Sequence, residues 1–231
     1  MLRHTALFMW RDTTDENGKL VAKKGLAYLA YGCPSVRFVD FGTDLNGGSS
    51  PLLEVKPWDR TPLWDARGEG PPSRFDMALH LDFDDQAGLD DYNKDDVHHE
   101  VAVYNVSVCR PERTARVDWW YEGPARYERG GIRSTTLYLW SDEATDAQKE
   151  DVRRIYRDLD GRVPGLGSLL VADNVGTLRT DYDLIVDAQF ESNEDARAFE
   201  DHDGHREALE LAAGTTKYEW TARITHPMAS G

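Results

Sequence analysis

The chain is short of cysteine, of cations and of long apolar runs, and each shortage excludes something. Two cysteines among 231 residues, Cys33 and Cys109, cannot form a disulfide framework. They fit a reducing compartment as lone buried thiols, and a cytoplasmic location is expected. Twenty-seven Lys and Arg stand against 42 Asp and Glu, a net charge of −15. A field of that sign repels phosphate backbones and anionic lipid, so neither nucleic acid nor a membrane is expected as partner. No apolar run approaches the ~18 residues that span a bilayer. Met1-Leu2-Arg3-His4 leads into a strand-like run, with no signal-peptide pattern. Gly165-Leu166-Gly167 precedes a strand and does not open a helix, which rules out a dinucleotide fingerprint. There is no Gly-x-Ser-x-Gly elbow and no phosphate loop.

What is present is a duplication. Leu2-Arg3-His4-Thr5-Ala6-Leu7-Phe8-Met9-Trp10 reads against Ile132-Arg133-Ser134-Thr135-Thr136-Leu137-Tyr138-Leu139-Trp140 at an offset of 130. Further on the offset is 107: Phe75 meets Tyr182, Phe83 meets Phe190, Tyr92 meets Phe199, His98 meets His205, and Thr114 to Val117 meets Thr221 to Ile224. The difference, 23 residues, is extra sequence in the first copy, within about 46–73. That insertion is rich in Pro and Gly and carries Trp58 and Trp64. The two tryptophans suit either a lid over a first-half pocket or a flap packed on the exterior. Glu122 to Gly130, short and polar with Gly and Pro, reads as the linker. Two domains follow: 1–121, with the insertion, and 131–227.

One unit reads strand (about 2–10), helix (15–30), strand (35–42), strand (75–83), helix (85–93), a second helical piece (97–107) and strand (114–121). Gly18 and Gly25 weaken the first helix. Its counterpart, 146–161, has Thr145 as cap and Val152, Ile155, Tyr156 and Leu159 at helical spacing. The order is β-α-β-β-α-β, the ferredoxin-like split unit of the α+β class. Strand 1 carries large side chains on both sides, so both faces of its sheet must be covered. Two sheets packed face to face meet that need.

The strand opening Arg3-His4-x-x-Leu7-Phe8, the helix led by Thr145-Asp146-Ala147-Gln148-Lys149, the Pro before strand 2 and the histidine run after helix 2 resemble the stress-responsive A/B-barrel (Dabb) family. Members with one unit dimerise into a barrel. Two units in one chain imply an intramolecular dimeric α/β barrel, as a monomeric pseudo-dimer or a homodimer of it. The family includes olivetolic acid cyclase, a polyketide cyclase, and a plant hydroxynitrile lyase. Both work without cofactor, and the resemblance implies no cofactor here; no metal is expected either, on the histidine spacing below. In the cyclase a strand-1 His and a Tyr and His near the end of helix 2 line the pocket, with a helix-1 Tyr. Those places fall on His4, Tyr92 and His98, while the helix-1 Tyr falls on Leu26. In the second copy Ser134 and Phe199 replace the first two, and His205 and Tyr156 remain. The first half is therefore expected to carry the chemistry.

Tyr92 and His98 can converge only if the helix breaks between them, at Asn93 to Asp96, with Asp95 or Asp96 capping the next piece. His98 then lies in a first helical turn, where the dipole disfavours its cation and keeps it basic. A neutral imidazole can take a proton near pH 7, and a phenol can donate to a carbonyl oxygen that gains charge. His98 is thus the expected general base, Tyr92 the donor and His4 a second polar contact. His4 shares a strand face with Phe8, and Phe8, Trp58, Trp64, Tyr156 and His205 are the expected substrate contacts. His202 and His205, at i and i+3, lack a third ligand at metal spacing. His80 and His99 read as exposed or structural. The expected activity is a cofactor-free cyclase or lyase step on a small carbonyl-bearing, polyketide or phenolic metabolite in secondary metabolism. The rivals are a non-catalytic small-molecule-binding stress protein and a cofactor-free oxygenase.

Overall fold

In a computed structural model, the description covers residues 1–45, 73–122, 131–176 and 182–228. The elements are β1 (Leu2–Phe8), α1 (Glu16–Gly32), β2 (Phe38–Thr43), β3 (Ser73–Arg74), β4 (Met77–Phe83), α2 (Gln86–Tyr92), α3 (Asp96–Val108), β5 (Ala115–Trp120), β6 (Ile132–Tyr138), α4 (Asp146–Arg157), β7 (Leu166–Asp173), β8 (Leu184–Phe190), α5 (Asn193–Asp201), α6 (Asp203–Thr215) and β9 (Ala222–Pro227). The first sheet runs β2-β4-β1-β5 and the second β3-β9-β6-β8-β7. These are two ferredoxin-like units, as the repeat implied. Trp58, Trp64 and nearly all of the insertion lie outside the described residues.

Helix starts follow from capping. The Asp15, Asp85 and Asp95 carboxylates accept from backbone N–H groups at the starts of α1, α2 and α3. Thr145 and Gln148 form a reciprocal capping box at α4. α1 runs its full 17 residues despite its glycines, because packing outweighs propensity. A Cβ at Gly32 would come within 2.6 Å of a Val97 methyl on α3, so glycine there lets the two helices approach closely. α4 ends at Arg157, not at 161, since the next residues turn and Gly161 adopts φ +69°. β1 ends at Phe8, and Trp10 returns only as a single bridge to Cys109.

The sheets pack face to face and the helices cover the outer faces. Leu2, Leu26, Leu29, Leu81 and Phe83 fill the space under the first-half helices. Tyr138, Tyr156, Phe190 and Phe199 do so in the second. Between the sheets lie Leu7, Met9, Val117, Trp119, Leu137, Ile185 and Ile224.

Two seams close the barrel, and they obey the repeat. Phe75 N–H donates to the Arg223 carbonyl (2.8 Å), and its counterpart Tyr182 N–H donates to Arg116 (3.0 Å). Leu45 N–H donates to Thr225 and Val175 N–H to Asp118, each at 2.7 Å. Thr225 N–H donates to the Asp44 carboxylate, and Asp118 N–H to the Asn174 side chain. Each half thus uses the other as a single-unit protein would use a second subunit.

The barrel interior also holds charge. Arg3 donates to both Asp82 oxygens, at 2.6 and 2.9 Å, and Tyr121 Oη donates to the same carboxylate. Arg133 lies 2.8 Å from Asp40. Asp187 sits between the guanidiniums, 3.6 Å from Arg3 and 3.7 Å from Arg133. Removing one member of such a group leaves a buried charge without its counter-ion, which typically costs about 3–5 kcal/mol. Arg3→Met should therefore lower unfolding free energy by about that much in urea, and more than Arg37→Met at the exposed Arg37–Asp84 pair.

Candidate functional site

β1 has two faces with different fates. Arg3, Thr5 and Leu7 enter the barrel, while His4 looks toward the helices of the first half. His4 pairs across the sheet with Asp118 on β5. Their side chains meet at 2.6 Å through His4 Nδ1, both about one-sixth exposed. The contact pulls Asp118 below the usual carboxylate range, although burial pushes the other way. With Nδ1 taken, the His4 ring nitrogen left for chemistry is Nε2.

The helix breaks where the sequence predicts. α2 ends at Tyr92, α3 begins at Asp96, and the Asp95 carboxylate accepts from Val97 N–H at 2.8 Å. The break folds His98 back onto Tyr92, with ring centroids 4.0 Å apart and planes at 29°. Tyr92 lies 6.3 Å from the His4 ring. The three side chains named as catalytic therefore form one cluster. Tyr92 is buried, and burial pushes its hydroxyl well up, so it stays a phenol. His98 is half-buried. Burial, helped by the neighbouring His4 and His99 rings, lowers it to about 4, so it is neutral at pH 7. Its Nδ1 is buried and has no hydrogen-bond partner among the described residues.

The second half places different side chains on the same frame. Ser134 and Thr225 hold the positions of His4 and Asp118, and their hydroxyls lie 3.2 Å apart. His205 stacks on Phe199 at 4.3 Å, lowered by burial to about 4. Tyr156, expected as a substrate contact, is buried in the core with its hydroxyl 2.6 Å from that of Tyr138. Those two tyrosines fill the space that Leu26 and Phe8 occupy in the first half. Phe8 itself is partly buried against the first-half core.

Other expectations resolve plainly. His202 caps α6 through Nδ1, while His205 points into the core, so the two make no metal pair. Both cysteines are free and buried, with Cys33 raised to about 11 by burial and the nearby Asp95. His99 bonds the Asn93 carbonyl at the surface. His80 takes the structural alternative: it is wholly buried inside the barrel. A groove of about 560 Å³ lies on the outside of α4 and α6, lined by Asp151, Ile155, His202 and Leu211 and away from the His4 cluster.

Sequence reasoning missed Asp118. The signal was in the repeat: the match from Thr114 to Val117 breaks at Asp118 against Thr225, a change that goes in step with His4 against Ser134. It also missed the barrel interior, where Asp40, His80 and His226 bring ligand atoms within 4.8 Å of one another.

Comparison with known proteins bears on the frame more than on the chemistry. The family model described as Stress responsive A/B Barrel Domain matches residues 132–219. The second half is therefore similar to that domain over most of its length. The first half repeats that domain's fold, and the tandem arrangement extends over the whole chain. An anthrone oxidase-like protein aligns over 99% of this chain and 91% of its own, at 9% identity and a TM-score of 0.60. A monooxygenase candidate from Fusobacterium nucleatum aligns over 98% and 91%, at 7% identity and 0.59. A hydroxynitrile lyase from Passiflora edulis covers 45% of this chain and 98% of its own, at 12% identity and 0.40. At these identities the likeness is one of fold. No curated protein matches. No helix among the described residues is long and apolar enough to cross a membrane.

The two stacked histidines make the fold sensitive to acid. Both folded-state values, about 4, lie below the ~6.5 of a free imidazole, so the fold favours the neutral ring. Their contribution to stability is complete above pH 6.5 and drains away as pH falls toward 4. The double variant His98→Gln/His205→Gln should show a shallower fall of the melting midpoint between pH 6.5 and 4 than wild type, measured by calorimetry.

Proposed function

We propose that the first half binds a small carbonyl-bearing or phenolic metabolite of polyketide type against His4, Tyr92 and His98. There it carries out a cofactor-free proton abstraction leading to cyclisation, aldol-type closure or lyase cleavage. The observation that carries this reading is the His4–Asp118 contact of 2.6 Å beside a buried phenol. Asp118 holds Nδ1, so Nε2 is the atom that takes the proton from a carbon or hydroxyl of the substrate. Asp118 then stabilises the imidazolium that forms. Tyr92, kept protonated by burial, is the donor for the oxygen that gains negative charge. His98 is neutral and stacked, so it serves better as wall and second polar contact than as base. This moves the base from His98, the first expectation, to His4. The second half lacks both members of the pair and has its own tyrosines in the way, which supports a single working pocket.

The test is turnover of a panel of aromatic cyanohydrins and linear polyketide thioesters, followed by mass spectrometry. His4→Ala and Asp118→Asn should each lower kcat by about 10²–10⁴ while circular dichroism stays unchanged. Ser134→Ala should leave kcat as it is. Saturable binding with every ligand returned intact would instead favour the binding-protein reading, and oxygen uptake would favour the oxygenase reading.

A further inference from the structure

A second cluster lies inside the barrel, on the opposite face of the first sheet from His4. Asp40 on β2, His80 on β4 and His226 on β9 are all buried, and one ligand atom from each falls within 4.8 Å of the others. The set is two imidazoles and a carboxylate, donors that suit a divalent transition-metal ion.

The local geometry is that of an oriented donor set. His226 Nδ1 donates to the Pro227 carbonyl at 2.9 Å, which fixes its tautomer and turns the Nε2 lone pair inward. His80 Nδ1 contacts Thr5 Oγ1 at 3.1 Å, and Thr5 is held in turn by Trp119 Nε1–H at 3.1 Å. That leaves His80 Nε2 facing His226 Nε2 at 3.4 Å, with the rings stacked at 23°. An N–H···O bond is usually about 2.9–3.0 Å, and by that measure 3.4 Å is long for a hydrogen bond between the two rings. Two imidazole nitrogens on one tetrahedral zinc, each bonded at about 2.0–2.1 Å, are about 3.3–3.4 Å apart. Arg133 lies against Asp40 at 2.8 Å and orients the carboxylate. Glycine at position 42 is required here, because a Cβ would run into the His226 ring and the Pro227 carbonyl.

Charge points the same way. The buried side chains include three carboxylates, Asp40, Asp82 and Asp187, against two guanidiniums, Arg3 and Arg133. Among the described residues the buried carboxylates thus outnumber the buried guanidiniums by one, a balance that suits a bound cation. His226 lies under the seam where β2 meets β9, so the site sits at the junction of the two halves.

We propose that Asp40, His80 and His226 bind one divalent transition-metal ion of the zinc class, which staples β9 of the second half to the sheet of the first. The proposal does not depend on the activity assigned to the His4 pocket. It is tested on the full chain, stripped with chelator and then titrated separately with Zn²⁺ and Co²⁺ at neutral pH. One equivalent per chain should bind, and the melting midpoint should rise with metal concentration. His226→Gln should weaken binding about 100-fold or more, and His202→Gln should not. Zinc X-ray absorption of the wild type should show two imidazole nitrogens at about 2.0–2.1 Å, a readout that stands even if His226→Gln does not fold. Absence of stoichiometric binding, a zinc shell of oxygens alone, or full binding by folded His226→Gln would overturn the proposal. The long His80–His226 contact would then be a hydrogen bond and nothing more.

Discussion

The structure depends on one constraint: the two sheets must cover each other's inner faces, and the chain must close the seams without a second molecule. The closing hydrogen bonds come in repeat-related pairs, Phe75 with Tyr182 and Leu45 with Val175. Because the backbone is committed in this way, the inner face is sealed from water, and every charge on it needs a partner. Arg3, Arg133 and three aspartates meet that demand across both halves. The interior therefore joins the halves electrostatically as well as by apolar packing, and a misplaced register would strand charge inside.

Closure makes the halves alike in backbone, but side chains make them unlike in chemistry. At one cross-strand position the pair is His4 with Asp118, an imidazole oriented by a carboxylate. At its counterpart the pair is Ser134 with Thr225, two hydroxyls with no base between them. Under α1 there is Leu26; under α4 there is Tyr156, bonded to Tyr138 and filling its own pocket. Duplication thus keeps the backbone of the two copies while their side chains at this place diverge.

Much of this could be read in the residues beforehand, for physical reasons. Period-2 alternation in Phe75 to Phe83 and the two-sided strand 1 pointed to stacked sheets, because burial on both faces leaves no other arrangement. The helix break between Tyr92 and His98 followed from Asp95, whose side chain is worth more as a cap than inside a helix. Asp118 was invisible as a partner for His4, since 114 residues separate them and only strand register joins them. His80 looked like a polar residue on a half-buried strand. Its burial depends on the second sheet arriving on top, with His226 under the seam, and no local pattern encodes that. The end of α4 was overextended because apolar spacing continued through Leu159 after the backbone had already turned.

The first copy holds a carboxylate-oriented imidazole on the helix-facing side of its first strand, and the second copy holds none at the counterpart position. Long-range proton–nitrogen NMR of the histidine rings at pH 7 tests it most directly. His4 should carry a proton on Nδ1, strongly deshielded by Asp118 and slow to exchange, and Asp118→Asn should move this resonance more than any other ring signal. A His4 ring protonated on Nε2 alone, averaging freely and indifferent to Asp118→Asn, would contradict it.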